Sequence, residues 1–152
     1  MGKPILLALS SFRQKEQQIQ AALDLCARAG APLLALFVVD INLARYHVAS
    51  DMMVGESLRK RLEEGVMEEQ EARGRAALDR VKALADARGI PCTTCLRMGR
   101  FAQEVKAVVL SHDPAAVVLT RANRPEWLRR LFGSPVDQIR AELGGRCEVL
   151  IV

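Results

Sequence analysis

The residues best suited to chemistry cluster in the last third of the chain, Pro114 to Val152. An apolar run, Ala115–Thr120, leads into a basic stretch, Arg121–Phe132, and then into Gly133-Ser134-Pro135. Ser134 is a good N-cap, Pro135 suits the first helical position, and Asp137 stands three residues after the cap. A strand feeding a loop that ends at a capped helix start builds an anion site, because backbone N–H groups and the helix dipole point at whatever sits there. Pro135 removes one N–H that an anion could have used.

The other candidates are thiols and imidazoles. Cys92-Thr-Thr-Cys95 has C-x-x-C spacing, which in other settings serves redox or zinc chemistry. Here the pair falls in a β-like run, Ile90–Met98. Residues three apart on a strand face opposite sides and sit about 10 Å apart, beyond the ~7 Å that a disulfide spans. Structural thiols are the expectation for Cys26, Cys92, Cys95 and Cys147, with a redox or metal module at Cys92 and Cys95 as a rival. His112 closes a helix, where the dipole favours it. His47 lies in an irregular stretch, Ile41–Gly55, that reads as a lid, an interface loop or a mobile connection. There is no G-x-S-x-G, no Walker A and no G-x-G-x-x-G after the first strand. No catalytic residue and no metal ligand set is expected.

The elements that must hold these residues follow from the apolar pattern. Ile5–Leu9 and Leu33–Val39 are continuous apolar runs, the mark of strands buried on both faces. Ile19, Ala22, Leu23 and Cys26 set a helix over Phe12–Ala29, closed by Gly30. Leu58, Leu62, Val66, Ala76, Ala77, Val81 and Leu84 stripe a second helix over Glu56–Arg88, with Gly65 and Gly74 as places for a bend or break. A third helix spans Phe101–His112, and Cys147–Val152 is the last strand. Strands alternating with about four helices predict an α/β fold of three layers, a five-stranded parallel sheet of Rossmann-like type in the order 3-2-1-4-5. Ligands of such sheets sit beyond the carboxyl ends of the strands where the order reverses, so Ser10, Ser11, Thr120 and Arg121 line the expected crevice.

The 152 residues make one domain, 1–152, with 50% hydrophobic and 26% charged residues. A net charge of +4 is too mild to point to nucleic acid. No run reaches the ~18 apolar residues of a membrane span, and no signal peptide opens the chain, so a cytoplasmic protein is expected.

From its first strand to its end the chain resembles a universal stress protein. The likeness rests on element order, on Val-Val-Asp40 closing strand two, on Gly99 after strand three, and on the tail. In ATP-binding members the fourth strand is followed by two glycines with two residues between them, then, after nine more, by Gly with Ser or Thr. This chain keeps the spacing at Thr120, Asn123 and Gly133-Ser134 but not the first two glycines. A β-branched Thr120 takes φ > 0 only at about 1–2 kcal/mol, while Asn123 tolerates it better. The resemblance also places Ser10 where those members carry an Asp near adenine, and Val38 where backbone meets the base. Arg121 and Arg124 are either phosphate contacts or surface arginines. The implied nucleotide-binding set is thus Ser10, Val38, Gly99, Thr120, Arg121, Asn123, Gly133 and Ser134, degenerate enough that no bound cofactor is expected. The reading is a stress-response protein that is not an enzyme, with an ATP-binding, weakly hydrolysing switch as the alternative. An apolar edge strand at Cys147–Val152 invites pairing with a second copy, and the resemblance implies a homodimer through it. Trp127, Leu128, Leu131 and Phe132 cover the crevice, join an interface or pack in the core.

Overall fold

Ile5–Leu9 and Leu33–Asp40 are buried at every position, on both faces of one sheet. The computed structural model describes residues 2–11, 13–41, 55–121 and 134–152. Along them run β1 Ile5–Leu9, α1 Glu16–Ala29, β2 Leu33–Asp40, α2 Glu56–Ala87, β3 Cys92–Gly99, α3 Phe101–His112, β4 Ala116–Leu119, α4 Pro135–Leu143 and β5 Glu148–Ile151. The sheet order is β3-β2-β1-β4-β5, all parallel, as the sequence predicts. Alternation along β1 divides the core. Ile5, Leu7 and Leu9 pack with Ile19 and Leu23 of α1 and Val81 of α2, whereas Leu6 and Ala8 pack with Val105 and Val108 of α3 and Ile139 of α4. Cys92 packs against the first of these clusters and Cys95 against the second, the opposite faces that strand geometry requires.

Three expectations are corrected. Helix α1 begins at Glu16, not at Phe12. Ser10 and Arg13 exchange backbone hydrogen bonds (Ser10 N–H to Arg13 O, 3.2 Å; Arg13 N–H to Ser10 O, 3.1 Å), and this tight turn consumes the residues before the helix. Helix α2 does not break at either glycine. A Cβ on Gly74 would lie 2.5 Å from Cδ1 of Phe37, so this glycine lets α2 rest close on β2. Finally, Leu58 and Leu62 are 43% and 39% exposed rather than on the buried stripe. At 1.5 Å per residue α2 is about 48 Å long. The eight residues of β2 span only about 26 Å at 3.3 Å each. The buried face of α2 begins at Gln70 and runs through Gly74, Leu78, Val81 and Ala85.

The two glycines of α2 predict opposite outcomes. Gly65 has open space at its Cβ position, so Gly65→Ala stabilises by about 0.5–1 kcal/mol through helix propensity. Gly74→Ala forces Phe37 to move inside a packed core and destabilises by about 1–3 kcal/mol. Urea unfolding of both variants measures the difference.

Candidate functional site

The expected crevice falls where β1 and β4 stop pairing. Their pairing covers Ile5–Leu7 against Ala116–Val118 and goes no further. Beyond it the buried side chain of Gln18, from α1, takes over the strands' carbonyls: Nε2 donates to Ala8 O at 2.9 Å and to Val118 O at 3.2 Å. Buried backbone acceptors need partners, and where the ladder stops one amide supplies two.

Ser10, the residue after β1, is buried and faces Arg13. Arg13 Nη1 donates to Ser10 Oγ at 3.4 Å and lies 3.5 Å from Asp40 Oδ2 at the end of β2. Its guanidinium carbon is 4.6 Å from the ring centroid of Phe101, the first residue of α3. Arg13 is 1% exposed, and Asp40 and Phe101 are buried with it. A buried charge is tolerated only when paired and hydrogen-bonded, and here carboxylate, hydroxyl and aromatic face supply that compensation. The sequence reading missed Arg13, which it placed on a helix. The signal was Asp40, a single charge closing a wholly apolar strand: such a group has to meet a cation.

The remaining expected site residues divide into separate groups. Val38 is buried in β2 within the cluster of Leu6, Ala8 and Phe101. Gly99 pairs with Asp40 at the end of β3, and a Cβ there would lie 2.9 Å from Glu104 Oε1, so the glycine admits the first turn of α3. Thr120 is buried, and its Oγ1 donates to Val152 O at 2.7 Å, tying the end of β4 to the end of β5. Arg121 forks onto Asp137, with Nη1 to Oδ2 at 3.0 Å and Nη2 to Oδ1 at 2.8 Å. Ser134 Oγ accepts the Asp137 N–H at 3.4 Å and caps α4, with Pro135 next, as the sequence predicts. Hydrogen bonding from Arg121, and then from Ser134, holds the Asp137 carboxyl below its usual range. The same bond pushes the Arg121 guanidinium up. The helix N-terminus already has an anion, supplied by the chain. Ser11 is not with these groups: its Oγ donates to Gln70 Oε1 of α2 at 3.4 Å. Asn123 and Gly133 lie outside the described residues, as do Arg124, Trp127, Leu128, Leu131, Phe132 and His47.

Two further features bear on chemistry. Burial pushes the Cys26 thiol up to about 11 and the Cys92 thiol up as well, and all four cysteines are free. Thiols are nucleophiles and ligands only as thiolates, so the burial of Cys92 works against the redox or metal module. An open groove of about 480 Å³ lies between the first half of α2 and the end of β3. Glu63, Glu64, Glu68 and Glu71 line it with Lys60, Met67 and Met98, a net negative charge that disfavours phosphates.

The model of the Universal stress protein family matches residues 1–152. No curated protein matches the chain by sequence. Among solved structures, the universal stress protein UspA of Lactobacillus plantarum is 16% identical with a TM-score of 0.71, covering 99% of this chain and 97% of its own. A universal stress protein in complex with cAMP is 14% identical with a TM-score of 0.65, covering 100% and 98%. A universal stress protein family protein of Arabidopsis thaliana with AMP bound is 12% identical with a TM-score of 0.57, covering 99% and 91%. At these identities the structures are alike in fold.

The Arg13–Asp40 pair predicts an asymmetric stability effect. Asp40→Ala strands a buried cation and destabilises by about 3–5 kcal/mol, while replacing both residues together, Arg13→Met with Asp40→Leu, costs less than Asp40→Ala alone. Denaturant unfolding of the single and double variants reads the difference.

Proposed function

Since this chain belongs to the universal stress protein family, we propose that it is a dimeric stress-response regulator without enzymatic activity, whose nucleotide crevice is degenerate and holds no adenine nucleotide tightly. One observation carries this reading: among the described residues, the polar groups expected around the crevice bond to partners within the chain. Ser10 is bonded to Arg13, Thr120 to Val152, Arg121 to Asp137 and Ser134 to the N–H of Asp137. A nucleotide competes with these partners for the same groups, and the net gain of a hydrogen bond exchanged in this way is small. The rival is an ATP-binding, slowly hydrolysing switch that uses Ser10, Asn123, Gly133, Ser134 and nearby arginines. It is favoured by the neighbours that carry cAMP and AMP.

The dimer reading rests on β5, the outermost strand of the sheet. Its half-buried Val149, Leu150 and Ile151 leave a free edge on an apolar strand, which a second copy satisfies about a two-fold axis. The partner set proposed is a second copy, with no nucleic acid and no membrane. Among the described residues no helix is long and apolar enough to cross a membrane. The cytoplasm is the proposed compartment, in keeping with four free thiols.

Two measurements test these readings. Equilibrium binding of a labelled ATP analogue with magnesium gives no micromolar complex; a micromolar dissociation constant rejects the degenerate crevice in favour of the switch. For the dimer, Glu148 and Val152 direct their N–H groups to β4, so those of Val149 and Ile151 point to the free edge. Val149→Pro therefore spares the ladder within the subunit and converts the dimer to a monomer in light scattering.

A further inference from the structure

We propose that Arg13 is a built-in occupant of the crevice, a side-chain plug that keeps planar, N–H-donating ligands from the carboxyl ends of β1 and β2 until it swings out. The proposal rests on the reading of the crevice as degenerate and adds the element that closes it. The slot has three recognition features: a carboxylate wall at Asp40, a hydroxyl acceptor at Ser10 and an aromatic face at Phe101. Together they select a flat group that stacks on one side and donates N–H bonds at its edge. A guanidinium meets that description, and so does the amino edge of an aminopurine or an amidine. The chain fills the slot with its own group, leaving Arg13 at 1% exposure.

Two of the contacts suit a plug that can be released: those of Nη1 to Ser10 and Asp40, at 3.4 and 3.5 Å, are longer than the ~2.7–2.9 Å of a tight charge-assisted bond. Arg13 stands in the turn before α1, and its neighbours Gln14 and Lys15 are exposed. Rotation about its own side-chain bonds carries the guanidinium to water, while Ser10, Asp40 and Phe101 stay on their strands and helix. A ligand then binds only the fraction of molecules with the plug out. With an open fraction of about 1%, the apparent affinity falls about 100-fold below that of the open slot. Any partner or condition that draws Arg13 outward raises affinity by the same factor.

The test compares wild-type protein with Arg13→Ala by calorimetric titration of adenosine, an aminopurine without phosphate whose binding is independent of the α4 end. Adenosine binds Arg13→Ala at least about tenfold more tightly than wild type. Methylguanidinium at millimolar concentration raises the melting temperature of Arg13→Ala more than methylammonium does, and leaves wild type unchanged. Equal adenosine affinity in the two proteins, or equal effects of the two cations on the variant, overturns the plug. Arg13→Lys keeps a positive charge beside Asp40 without a flat face, so it serves if Arg13→Ala does not fold. About a threefold gain in adenosine affinity is expected for it, and no gain counts against the plug. The two proposals fail separately: micromolar ATP binding by wild type removes the degenerate crevice, and equal adenosine affinities remove the plug.

Discussion

Burial of β1 and β2 on both faces is the constraint from which the rest of the structure follows. A strand with no solvent face offers no water to the polar groups at its end, so each must find a partner inside the protein. Gln18 is one answer, bridging Ala8 O and Val118 O where β1 and β4 stop pairing. Arg13 is the other, turned back by the Ser10–Arg13 bonds to meet Asp40. Helix α1 starts at Glu16 because the residues before it are used in this way.

The place where parallel α/β sheets take their ligands is therefore the place where this chain satisfies itself. At the β1–β2 end the occupant is a guanidinium on an aromatic ring. At the β4 end it is the Asp137 carboxylate, set at the start of α4 and clamped by Arg121. Both are internal counterparts of what a nucleotide would offer, a flat nitrogen-rich group and an anion. The fold supplies the geometry of a site, and the side chains around it decide what that site can hold.

How the chain reads against its structure follows from the range of each interaction. Continuous apolar runs, helical spacing and terminators such as Gly30 are local, and they yielded the element order, the parallel sheet and its strand order. The Ser134-Pro135 start of α4 was legible because a cap involves residues three apart. Gly74 was legible only as a weak point, since its reason is Phe37 on another element.

What the sequence determined by itself was thus the fold, its element order and its strand order, all carried by the pattern of neighbouring residues. The tertiary structure alone decided which groups meet there. Arg13, Asp40 and Phe101 are distant in sequence, and periodicity records no preference of a cation for a carboxylate on another strand or for a ring on a third helix. Their meeting is fixed by strand register and by the cost of burying a charge unpaired, and both exist only once the chain has folded.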